Sequence, residues 1–226
     1  MIRSLLINIV VVVSLFSQDS SSINIGFKGG LNFSYISGAH YDYSGNLNDN
    51  NFKFGFNFGV ILDKKTKNPT SFQLELIYNK TGSKWGQPLI GFGYDGDYVI
   101  YELQYLTIST YFKLKSRIGN LFKDFDFALG VSYSYNISAT QNWVLENSDF
   151  EGPSNIRDEL NKHEIGIVYG VKFPFKNRNY YLNFMFYHAL TTLYPDSYIG
   201  YMGDFGKKNQ MRNNTFSISF DAFLFD

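Results

Sequence analysis

Between Ile23 and Tyr35 the chain alternates without a break, with Ile23, Ile25, Phe27, Gly29, Leu31, Phe33 and Tyr35 on one parity and Asn24, Gly26, Lys28, Gly30, Asn32 and Ser34 on the other. Side chains on a strand point to opposite faces in turn, so the segment has one greasy face and one small, polar face with a single charge. It is longer than the roughly 5 to 6 residues of an ordinary strand. A tilted strand that crosses a bilayer needs about 9 to 11. The fold then depends on whether the pattern recurs often enough to close a barrel.

It recurs seven more times. After a polar stretch from Ser37 to Asn50, Phe52, Phe54, Phe56, Phe58, Val60 and Leu62 line one face, opposite Asn51, Lys53, Gly55, Asn57 and Gly59. The charged turn Asp63 to Pro69 leads to a third segment, Ser71 to Asn79, with Phe72, Leu74, Leu76 and Tyr78 against Gln73, Glu75, Ile77 and Asn79. Lys80 to Tyr98 is glycine-rich and reads as a loop. A fourth strand is expected over Ile100 to Leu114, a short connection over Lys115 to Asp124, and a fifth strand over Phe125 to Ile137. A loop from about 140 to 161 follows, with one helical turn expected at Ile156 to Leu160. Two more strands, around Ile165 to Phe173 and Tyr180 to Tyr187, flank the turn Pro174 to Asn179. A last loop, Thr192 to Asn213, precedes an eighth strand that carries Phe216, Ile218, Phe220, Ala222 and Leu224.

Long and short connections therefore alternate, as in barrels with one end at the cell exterior and the other in the periplasm. The charges are sorted too. Lys28, Lys53, Glu75, Lys113, Asp126, Glu164, Lys172 and Asp221 all fall opposite the apolar face, and Glu102 is the exception. A Lys or Arg facing lipid near the midplane costs about 2 to 4 kcal/mol, so this sorting suits a lipid-facing wall. A soluble carrier with its apolar face inward fails on volume, because an eight-stranded barrel is nearly filled by ordinary side chains. The 23 Phe and 18 Tyr of this chain do not fit inside. The expected fold is all-β: an eight-stranded antiparallel up-and-down transmembrane β-barrel with four long extracellular loops and short periplasmic turns.

Residues 1–18 read as a signal peptide, with Arg3 as the positive region and Leu5 to Phe16 as the apolar core. Residues 19–226 are the barrel domain, and the cell outer membrane is the expected location. Cysteine is absent, which excludes disulfides and a thiol nucleophile. The formal net charge is zero and argues against a nucleic-acid partner.

The stretches GFKGGLNFSYISG, LELIYNKTG, QYLTISTYFKLK and FYHALTTLY resemble the outer-membrane β-barrel domain of the PorT-like family of Gram-negative envelope proteins. The resemblance covers nearly all of the chain after residue 18, and its motifs are strand patterns rather than catalytic residues. It implies an eight-stranded barrel inserted by the outer-membrane assembly machinery. Such barrels usually end on an aromatic residue, whereas here Phe225 is followed by Asp226.

No catalytic, cofactor-binding or metal-binding residues are assigned. GFGYDG (Gly91 to Gly96) has dinucleotide-fingerprint spacing, but the motif has meaning only between a strand and a helix, and here it sits in a hairpin loop. Asp95 and Asp97 read as solvated loop acids. Of the histidines, His40 falls in a loop, while His163 and His188 fall near the outer rim without an obvious Ser and acid to complete a hydrolase site. The lumen charges carry the structural expectation. Counting back from the turns places Lys113 near Asp126, and Lys28 level with Glu75 and, across the closing seam, Asp221. These five are expected to form ion pairs that plug the barrel. The functional expectation is a non-enzymatic scaffold in the lipid bilayer whose long loops, with Trp85 and Trp143, meet surface or envelope protein partners. The alternative is an outer-membrane lipid-modifying enzyme.

Overall fold

A computed structural model describes residues 23–37, 50–65, 70–86, 98–118, 122–144, 153–175, 179–195 and 211–224. Among these residues are nine strands: β1 (Ile23–Ser37), β2 (Asn50–Lys65), β3 (Thr70–Gly86), β4 (Tyr98–Ile118), β5 (Phe122–Val144), β6 (Pro153–Asn155), β7 (His163–Phe175), β8 (Tyr180–Ala189) and β9 (Arg212–Phe223). Each long strand pairs antiparallel with its neighbours in sequence, β5 pairs with β7, and β1 pairs with β9, so eight strands close into an up-and-down barrel. The ninth, β6, adds three residues to the edge of β5 through Thr140, Gln141 and Asn142.

The strand ends Lys65 and Thr70, Ile118 and Phe122, and Phe175 and Tyr180, each separated by a short stretch of chain, lie at one end. The strand ends separated by long stretches of chain lie at the other, which this fold class assigns to the cell exterior.

Parity sorts the side chains as the sequence does. Phe54 is 70% exposed, Val131 62% and Phe52 60%, and they belong to an apolar girdle that includes Phe27, Leu31, Phe58, Leu106, Phe112, Leu129, Tyr169 and Phe220. Lys28, Glu75, Lys113, Asp126, Glu164, Lys172 and Asp221 are all buried inside. Small residues inside let the wall curve tightly. A Cβ on Gly30 would stand 2.5 Å from the Cβ of Ser219.

Several boundaries move from the sequence expectation. β3 runs on to Gly86 and β4 begins at Tyr98, where the ladder Lys84↔Ile100, Trp85↔Val99 and Gly86↔Tyr98 continues past the apolar girdle. Outside lipid both faces can be wet, so the alternation fades while backbone pairing persists. Trp85 and Trp143, expected in loops, therefore lie on the ends of β3 and β5. Ile156 to Leu160 forms two overlapping turns, Glu159 N–H to Ile156 O at 3.0 Å and Leu160 N–H to Arg157 O at 3.4 Å, and no α-helix. The connection between β4 and β5 is tighter than expected, because both strands extend into it. His40 and the GFGYDG stretch with Asp95 and Asp97 lie outside the described residues.

Candidate functional site

The lumen is crossed by a ring of alternating charge. Lys28 on β1 places Nζ 2.6 Å from Glu75 Oε1 on β3 and 3.9 Å from Asp221 Oδ1 on β9. Lys172 on β7 places Nζ 3.0 Å from Asp221 Oδ2 and 3.5 Å from Glu75 Oε1. All four side chains are buried, and β3 and β7 lie three strands apart around the ring. Lys28 and Asp221 are also Cα partners across the closing seam.

Neutral groups fill the remaining hydrogen-bonding capacity. Gln73 Nε2 donates to Glu75 Oε1 at 2.6 Å, and Asn183 Nδ2 donates to Asp221 Oδ1 at 2.7 Å. The Tyr111 hydroxyl donates to Glu75 Oε2 at 3.2 Å, while its ring centroid lies 5.8 Å from Lys28 Nζ and 5.4 Å from Lys172 Nζ. Cations over an aromatic face are held by the ring quadrupole, so this tyrosine serves both lysines and an acid.

Lys113 and Asp126 are not Cα partners, although Asp126 stays within electrostatic reach of Lys113. The β4–β5 register opposes Asp126 with Lys115 and Lys113 with Ala128, two residues from the hairpin count. Lys113 Nζ instead lies 2.7 Å from Asp63 Oδ1 on β2, with the Tyr181 ring centroid 5.5 Å away. On its other side Asp126 is the Cα partner of Lys172. Tyr181 joins Ile61 and Phe223 in a small apolar cluster at the short-connection end.

On the other side of the ring lies a cavity of about 70 Å³, with Lys28, Glu75 and Tyr111 among its walls. Glu164 also lines it, and its carboxylate accepts hydrogen bonds from the hydroxyls of Tyr187 (through Oε1) and Tyr105 (through Oε2, 3.3 Å). Toward the exterior the barrel is capped by an apolar cluster of Ile36, Tyr101, Leu103, Tyr105 and Ala139 from the wall with Ile156, Leu160, Leu193, Tyr194 and Met211 from the long connections. Backbone bonds fasten this lid: Asn161 N–H to Leu193 O at 2.8 Å, Leu193 N–H to Met211 O at 2.7 Å, and Ile156 N–H to Ala139 O at 3.1 Å.

The charge that broke the sorting is neutralised at the outer part of the wall. Glu102 pairs with Lys53 through Oε1 and with Lys80 through Oε2, at 3.2 Å for the latter. The Lys53 stem passes Gly82, whose φ of +149° and lack of a side chain accompany a register shift between β2 and β3. His163 Nδ1 hydrogen-bonds with the Tyr133 hydroxyl and His188 Nδ1 with Asn214 Oδ1. Neither arrangement is a Ser–His–acid relay.

Two members of the network were not singled out for pairing from the sequence. Asp63 continues the inward parity of Asn57, Gly59 and Ile61, but the charged run after it looks like a turn. Lys172 sits on the polar face, and its partners come from strands two and three places away around the ring, beyond hairpin counting.

A closed barrel with a greasy exterior and an ion-paired interior defines a transmembrane β-barrel of the outer-membrane type. The chain belongs to the outer membrane protein β-barrel domain family, whose model matches residues 16–194. Among solved structures it is similar to Ail, the attachment invasion locus protein of Yersinia pestis (10% identity, 90% of this chain and 99% of that one, TM-score 0.45). Neisserial surface protein A is similar as well (13%, 89% and 98%, TM-score 0.42), as is OprG from Pseudomonas aeruginosa (10%, 91% and 98%, TM-score 0.40). None of the curated proteins matches.

Proposed function

We propose that this protein is a non-enzymatic scaffold of the outer membrane whose barrel passes no solute and whose long outer connections meet surface or envelope protein partners. The observation that carries the reading is the double obstruction of the lumen, by the charged ring of Lys28, Glu75, Lys172 and Asp221 and by the apolar lid around Leu160 and Leu193. A polar channel would need mobile water past both. Export by residues 1–18, insertion by the outer-membrane assembly machinery and kinship with the PorT-like barrels belong to the same proposal. The plug formed by Lys28, Glu75 and Asp221, together with Lys113 and Asp126, serves structure.

Purified protein in planar bilayers tests the closed barrel: no discrete conductance steps are expected, and steady channel currents would overturn it. Excision of the tips of the four long connections tests the surface role, with a loss of partner capture in pull-downs from envelope extracts expected. Identical capture and unchanged fitness after excision would remove it.

A further inference from the structure

We propose that the chamber between the charged ring and the apolar lid binds one monovalent alkali cation, held by the Glu164 carboxylate and the neutral oxygens around it. Elsewhere in the lumen the acids that form ion pairs meet ammonium groups: Glu75 and Asp221 share Lys28 and Lys172, and Asp63 holds Lys113. Glu164 differs. It is 3% exposed, and among the described residues no lysine, arginine or histidine nitrogen lies within 4.0 Å of its carboxylate. Its hydrogen-bond donors, the hydroxyls of Tyr105 and Tyr187, are neutral, as is Asn213 beside it. A buried carboxylate without a counter-charge is costly, and a small cation beside it removes that cost.

The surroundings suit such an ion. Asn57, Asn213 and Thr215 line the chamber, and each keeps a buried side-chain oxygen without a hydrogen-bond partner. The two amide oxygens can only accept and the Thr215 hydroxyl can turn its lone pairs inward, which suits a ligand that accepts nothing. One carboxylate with amide and hydroxyl oxygens matches a singly charged hard cation. Calcium takes six to eight oxygens, commonly from several carboxylates, and softer metals prefer imidazole or thiolate. A cavity of about 70 Å³ holds an ion with a few waters, given roughly 10 to 15 Å³ for each water centre.

The test uses full-length protein folded in detergent and dialysed at constant ionic strength into sodium, potassium or N-methylglucamine chloride. An alkali cation is expected to raise the Tm saturably by about 2–4 °C over N-methylglucamine, the shift of a moderately saturated ligand on a domain of this size. Glu164→Gln is expected to abolish the difference. Equal Tm values in all three salts, or an undiminished shift in the variant, would overturn the proposal by leaving Glu164 neutral or solvated by water alone. Should the variant fail to fold, crystals of the unaltered protein grown in rubidium chloride decide: an anomalous peak beside Glu164 supports the site, and its absence there refutes it.

Discussion

Lys172 Nζ lies 3.0 Å from Asp221 Oδ2, joining β7 to β9 across the strand between them, and the same ammonium reaches Glu75 on β3. No backbone ladder links β3 to β7, so these side chains brace the barrel across its width. Removing one partner strands its neighbours as buried charges, at about 3–5 kcal/mol. Lys172→Met and Lys28→Met are therefore each expected to lower the Tm in detergent by roughly 6–20 °C, at 2–4 °C per kcal/mol for a chain of this size. Heat-modifiable gel migration reads the shift. In Lys172→Met/Asp221→Leu the loss should be less than the sum of the single losses by about 0.5–3 kcal/mol, because the pair is removed together. Wild-type stability in Lys28→Met would rule out the plug.

The lid predicts a local effect. Leu193 is buried among Leu160, Ile156 and Met211, outside the eight-stranded ladder. Leu193→Ala is expected to weaken the lid by about 2–5 kcal/mol. The backbone N–H groups at positions 161 and 193, which donate to the carbonyls of residues 193 and 211, should exchange roughly 30-fold faster or more, while those of Leu31 and Phe58 keep their protection. Unchanged exchange at 161 and 193 would mean that the lid is not a cooperative unit.

Spin labels check the sorting of faces. Labels at Phe56 and Leu129 should be relaxed by oxygen dissolved in lipid, whereas labels at Asn57 and Ser132 should be shielded from it. Gly130 is a poor site for a label, since a Cβ there would collide with the Thr110 carbonyl oxygen. Reversed accessibility would turn the barrel inside out.

Gly82 is confined by its backbone and its neighbours. Its φ of +149° disfavours any side chain, and a Cβ would collide with the Tyr101 carbonyl oxygen. Gly82→Ala is expected to cost about 1–3 kcal/mol and to disturb the Lys53–Glu102–Lys80 cluster. Denaturant unfolding in detergent measures the loss, and an equal midpoint would contradict the strain.

The wall was legible because a period of two survives in every strand that meets lipid. Phe52 to Leu62 declares its face by itself, and the closing pair Lys28 and Asp221 falls into register once eight strands are counted. The hairpin count missed the register at Lys113 by two residues because the strands meet at Ile118 and Phe122, later than the sequence suggests, and the ladder slips between Ser116 and Ile118. Asp63 was hidden by the charged residues after it. The lid left little trace, since Ile156, Leu160 and Met211 stand singly in polar stretches and Leu193–Tyr194 is a lone pair, with no repeat to connect them.

The closing seam has a consequence for how the chain matures. Asp221 arrives on the final strand, after both lysines that it neutralises have been laid down. A cylinder lacking that strand loses the carboxylate that Lys28 and Lys172 share, and buried charge left short of a partner is penalised. Electrostatics thereby adds its own premium, beside that of greasy surface, for completing the circle.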